Sequence, residues 1–147
     1  MAEDQQQQEG QHDDKDTLRS HTSQAKSCQE MLALLYEPFP TELDICILDG
    51  ETMIRVDQNV GIDAHHLPPL ARDFRANYAH VRRSICHETS LVEATTCLLL
   101  VCPDHSTAWA DRRRALFSKA PPQQTPLRAY QAELTFLNFL FTKHSKA

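Results

Sequence analysis

The stretch Cys102–Phe117, C-P-D-H-S-T-A-W-A-D-R-R-R-A-L-F, decides how this chain is read. Pro103 follows an apolar run and disfavours helical geometry in the residue before it, so one helix stops there. Asp104 then offers a carboxylate that can cap the free N–H groups of the next helix. Within that helix Trp109 stands three or four residues from Arg112 and Arg113, so these side chains share a face. The spacing predicts a helix, a tight Pro-Asp turn, and a second helix carrying one large aromatic with arginine beside it.

The run before the turn, L-V-E-A-T-T-C-L-L-L-V over residues 91–101, is apolar almost all round. A helix of that kind needs neighbours on both sides. Ser90 and Glu93 have the spacing of a capping box for its start. Further upstream Leu67, Leu70, Phe74, Tyr78, Val81 and Ile85 recur at three and four, an amphipathic stripe. Arg72, Arg75, Arg82 and Arg83 lie mostly off that stripe, on a face that either is solvated or meets an acidic partner. Between residues 43 and 56, Leu43, Ile45 and Ile47 alternate, Asp49-Gly50 is a hairpin signal, and Met53–Val56 is a candidate return strand. Cys28, Met31, Leu32 and Leu35 stand at helical spacing, closed by Pro38 and Pro40. Residues 1–27 are polar, acidic and Gln-rich, a composition too poor in apolar surface to offset ordering, and are read as a disordered tail. Downstream, Pro121 and Pro122 stiffen a connector, Thr125 is positioned to cap a helix, and Pro126 takes its first position. Leu127, Tyr130, Leu134, Leu137 and Phe141 supply that helix with a stripe to bury, which Phe136, Phe139 and Leu140 widen.

Composition narrows the function. The 147-residue chain carries a net charge of −5 and no dense basic stripe, which speaks against nucleic acid, whose binding rests on phosphate neutralisation. The start lacks the basic and apolar regions of a signal peptide, and no apolar run approaches the roughly 20 residues that span a bilayer. A soluble, cytoplasmic protein is the expectation. Five cysteines without regular spacing argue against a disulfide framework and suit small buried hydrophobes. His65-His66 and Cys86-His87 lack the further ligands that zinc requires. No nucleophile elbow, glycine-rich phosphate loop or H-E-x-x-H occurs, so no catalytic residue is assigned.

The pattern P-D-x-x-T-x-W-x-x-R-R resembles the repeat of the protein prenyltransferase α-subunit family, whose motif runs Asn-Pro-x-x-x-x-x-Trp-Asn-x-Arg-Arg. Pro103, Trp109, Arg112 and Arg113 match it. Cys102 replaces the first Asn, Ala110 the second, and Asp111 the common aromatic or His. The run from about Cys28 onward is similar to the N-terminal part of such a protein. The resemblance implies an all-α fold of α/α helical-hairpin repeats, a truncated solenoid, with the hairpin at 43–56 as a decoration. Residues 28–87 become a lead-in region, and 88–147 the first repeat plus the first helix of a second. It further implies a non-catalytic α-like subunit that binds a β subunit of the Rab geranylgeranyltransferase type, cut in mid-repeat and inactive alone. Zinc is then expected on the partner β subunit and not on this chain. The partners are that β subunit and a protein acceptor with a C-terminal cysteine, SNARE-type acceptors among them; neither nucleic acid nor a membrane span is expected. Lys146 falls at a position from which, in one family repeat, a lysine reaches toward the isoprenoid diphosphate; otherwise it is a cation at a helix C-terminus.

Two readings stay open for the motif. Trp109 packs between helices with its N–H on a nearby acceptor, or contacts a ligand. Arg112 and Arg113 pair with a partner's carboxylates, or stay within the chain, stacked on Trp109 and bridged to Asp104 or Asp111. A helical-repeat scaffold that binds a protein and has no part in prenylation is the rival to the prenyltransferase reading, since fold and function are separable.

Overall fold

Every side chain from Ala94 to Leu100 is buried, and the other elements are arranged around the helix that carries them. In the computed structural model, which describes residues 10–84, 88–117 and 126–145, the order is α1 (Gly10–Leu34), β1 (Glu42–Cys46), β2 (Met53–Val56), β3 (Asn59–Asp63), α2 (Leu67–Arg83), α3 (Glu88–Val101), α4 (Ser106–Phe117) and α5 (Pro126–Ser145). The chain is mainly helical, with a small three-stranded sheet. Helix α3 packs against α1, α2 and α4, so its all-apolar surface is covered from several sides. Its buried Thr95 and Thr96 hydroxyls return hydrogen bonds to the carbonyls of Leu91 and Val92, which keeps polar atoms satisfied inside the core.

The described part of the stripe read on α2 is buried: Leu70, Phe74 and Tyr78 face the core, with Leu67 and Val81 packed at its edge, while Ile85 lies outside the described residues. Pro68 and Pro69 sit in the first turn, where a missing N–H breaks no intrahelical bond. In α1, Cys28 and Met31 are buried and Leu32 and Leu35 half-buried. This helix begins at Gly10, inside the stretch assigned by composition to a disordered tail through residue 27; residues 1–9 lie outside those described. The C-terminal end of α1 is held by Arg55 of β2. Its guanidinium donates to the carbonyls of Leu34, Tyr36 and Pro38 and lies 3.9 Å from the Tyr36 ring centroid.

The hairpin expected across 43–56 is corrected. Both strands exist, but they do not pair with each other; β3 lies between them, in the order β1-β3-β2. β1 runs parallel to β3, with Leu43 opposite Val60 and Ile45 opposite Ile62. β2 is antiparallel to β3 and pairs Val56 with Asn59, so the tight turn is Asp57-Gln58, where Asp57 takes a φ of 54°. Asp can enter that left-handed region, as a two-residue hairpin turn requires. Asp49-Gly50 turns the chain too, with Gly50 at φ 83°, but within the longer link from β1 to β2.

Two further expectations are corrected. Helix α3 starts at Glu88, so Ser90 lies inside it and forms no capping box with Glu93. Helix α5 buries the opposite face from the one expected. Phe136, Phe139 and Leu140 are in the core, while Leu127, Tyr130, Leu134 and Phe141 are exposed and Leu137 is half-buried. Both faces of the helix carry two aromatic rings, and the one that goes inward is the one that meets Phe39, Trp109 and Arg112. Phe139 meets Phe39 edge-on, and Thr142 accepts a hydrogen bond from the Leu43 N–H at 2.9 Å, so α5 lies against β1. Thr125 and Lys146 lie outside the described residues.

Candidate functional site

The turn at Pro103 brings the end of α3 beside the start of α4. The His105 N–H donates to the Cys102 carbonyl, and the His105 Nδ1 accepts from the Ala108 N–H at 3.2 Å. His105, not Asp104, therefore caps α4; Asp104 stands one residue too early and is exposed in the turn. The Trp109 indole N–H donates to the Pro103 carbonyl at 2.7 Å, tying the motif's aromatic to the motif's proline. Trp109 is half-buried, with its ring centroid 6.2 Å from that of Phe136 on α5.

Arg112 is inside the molecule, 5 % exposed. Its Nη1 donates to the Val92 carbonyl at 3.0 Å and to Thr96 Oγ1 at 2.7 Å, while Nε meets Glu133 Oε1 at 2.9 Å. The guanidinium also lies 4.3 Å from the Phe136 ring centroid. One planar fork thus ties α3, α4 and α5 together, with its donors directed at carbonyl, hydroxyl and carboxylate. The intrachain alternative is the one seen for Arg112, but its partners are Phe136 and Glu133, not Trp109 or Asp104. Arg113, by contrast, is exposed and lines a groove.

That groove, about 490 Å³, runs between α4 and α5 and is almost entirely apolar. Trp109, Phe117, Tyr130, Leu134, Leu137 and Phe141 line it, with Phe117 stacked on Tyr130 at 4.8 Å between centroids. Its polar rim is Arg113 and Glu133. The residues expected to fill the core from α5 are therefore the groove wall.

Several members of this region enter only with the structure, whereas Asp111, named from the sequence as a bridge for Arg112 or Arg113, meets Arg82 and Arg114 instead. Glu133 is the lone charged residue in the otherwise uncharged run 129–142, a signal that it has a buried partner. Asp111 is buried and accepts from the Tyr78 hydroxyl, with Arg82 at 2.8 Å and Arg114 at 3.5 Å. Burial, and next the hydrogen bond to Asp111, push the Tyr78 phenol up to about 12. On the opposite flank of α3, the Cys28 and Cys97 sulfurs approach to 2.9 Å, and that hydrogen bond together with burial holds the Cys97 thiol well above its ordinary range. His66 donates through Nδ1 to the Asp63 carboxylate, which the Leu48 N–H and His66 hold below its ordinary value. Among the described residues no three His, Cys, Asp or Glu side chains are grouped to hold a metal ion, and no helix is long and apolar enough to cross a membrane. Cys86 and His87 lie outside those residues.

Compared with known proteins, the chain matches no protein-family model and no curated protein.

Proposed function

We propose that this chain is a non-catalytic, α-subunit-like module of a protein prenyltransferase. In this reading it docks a β subunit of the Rab geranylgeranyltransferase type and helps position a protein acceptor whose C-terminal cysteine is prenylated. The observation that carries the proposal is the uncovered apolar groove of α4 and α5, placed directly beside the Trp109–Arg113 motif. An aromatic and aliphatic wall with a thin polar rim has the composition of an interface centre, where aromatic anchors supply most of the binding energy. The chemistry belongs to the partner, where zinc would favour the acceptor thiolate. This chain contributes a surface.

The motif's two arginines have separate tasks. Arg112 is committed to the interior, so contact with a partner falls to Arg113 and to the exposed side chains of α5. The test is a binding titration of the chain against a Rab-type β subunit, with Arg113→Glu and Leu134→Asp/Phe141→Asp as variants. Saturable binding by the wild type, lost on burying a charge in the groove, is the expected result. No wild-type binding, or binding that ignores both variants, overturns the proposal. The internal use of Arg112 favours a second reading, a helical scaffold without a role in prenylation, because it removes one of the motif's two arginines from the partner's reach. The scaffold reading predicts that the groove variants lose binding to some other protein while prenyl transfer by the β subunit is unaffected by this chain.

A further inference from the structure

The four arginines that fall off the α2 stripe, Arg72, Arg75, Arg82 and Arg83, are exposed as a solvated face would have them, but three of them share a cleft. Arg75, Arg82 and Arg83 of α2 converge with Arg114 of α4 on one cleft of about 660 Å³, whose mouth includes His105 and Thr107 at the start of α4. Among the described residues that line the cleft, Asp111 is the one carboxylate, against four guanidiniums. A surplus of positive charge is thus concentrated on a chain whose net charge is −5. Concentration of one sign in a concave site focuses the field on an incoming anion.

Three of the four arginines are also held in place. The buried Asp111 carboxylate fixes Arg82 through Nε at 2.8 Å and Arg114 through Nη1 at 3.5 Å, and is itself anchored by the Tyr78 hydroxyl. Arg75 donates to the Cys102 sulfur at 3.3 Å. Each fork keeps further N–H donors for another acceptor, and a fork already oriented loses less entropy when it binds. Planar guanidiniums with free donor pairs match the oxygens of a phosphate group. The amides that open α4 add donors and the positive end of a helix dipole at the same mouth. Ala79 and Leu91 give the cleft an apolar wall, with room beyond a bare phosphate for the group that carries it.

We infer that this α2–α4 cleft is a binding site for a phosphate-class oxyanion, either a small phosphate ester or a phosphorylated side chain. It is separate from the apolar groove on the far side of α4 and does not depend on the function proposed above.

The experiment follows amide and arginine Nε resonances of the full chain at constant ionic strength during titration with inorganic phosphate, a phosphoserine peptide, and the same peptide with glutamate in place of phosphoserine. Saturable shifts at Thr107 and the cleft arginines with both phosphate probes are expected, with the glutamate peptide at least tenfold weaker than the phosphopeptide. A phosphopeptide tighter than inorganic phosphate assigns a protein-borne ligand, and equal affinities assign a small one. Arg75→Gln/Arg83→Gln should weaken binding about tenfold or more, and Arg83→Gln alone, at an exposed position, should weaken it several-fold without touching the fold. The inference is overturned by shifts that do not saturate, by a glutamate peptide that binds as well as the phosphopeptide, or by an Arg83→Gln variant that binds like the wild type.

Discussion

Arg112 shows how one residue can hold a fold while resembling a binding residue. Replacing it by Met removes a buried charge but strands the Glu133 carboxylate, while Thr95 and Thr96 keep their bonds to the Leu91 and Val92 carbonyls; replacing it by Glu sets two carboxylates together in the interior. Breaking a buried pair from one side costs about 3–5 kcal/mol, a large share of the 5–15 kcal/mol that typically separates folded from unfolded chains. Urea denaturation of Arg112→Glu should show a lost or strongly lowered transition, whereas Arg113→Glu should shift it by no more than about 0.5 kcal/mol, as exposed substitutions do. Tyr78 makes a prediction in pH. Its folded phenol ionises at about 12 against an ordinary value of 10.0, so the fold favours the neutral form. That contribution is complete below pH 10 and is lost as pH rises from about 10 through about 12. Denaturation midpoints measured across that window should fall for the wild type and fall less for Tyr78→Phe.

At the scale of the element, α5 separates what periodicity can give from what it cannot. Existence, length and the Pro126 start are legible, because a proline at the first turn and apolar spacing by threes and fours are local signals. Which face turns inward is not local. It is set by Phe39, Trp109 and Arg112, residues far away in the chain that receive Phe139 and Phe136. Phe139→Ala should therefore cost about 3–5 kcal/mol as a core truncation, while Leu134→Ser should leave stability within about 0.5 kcal/mol; paired thermal melts decide between this face and the opposite one. The sheet divides in the same way. The strands at 42–46 and 53–56 were readable from alternation and β-branched residues, but the parallel partner β3 was not, since Asn59–Asp63 follows a turn without glycine and pairs across a gap in sequence. The site was half legible. Trp109 and Arg112 lie together at the corner foreseen, yet Glu133 and His105 entered only with the structure, and Asp111, named from the sequence, took Arg82 and Arg114 as partners rather than Arg112 or Arg113.

Across the whole molecule, α1 to α4 pack largely against their neighbours in sequence, whereas α5 returns to β1 and closes the fold over the sheet. β1 is an edge strand, and its outward Leu43 N–H is occupied by Thr142, 99 residues later. Occupying that donor leaves the edge less open to pairing with another chain, and Thr142→Val should raise the fraction of protein that pellets after refolding at high concentration. The order of manufacture then matters. A ribosome adds about 5–20 residues per second, so a newborn β1 waits roughly 5–20 seconds before Thr142 exists to cover it. During that interval the edge is open to other nascent chains on the same message. Slowing translation between the codons for β1 and α5 should lengthen the interval and lower soluble yield, while the same delay placed before β1 should not.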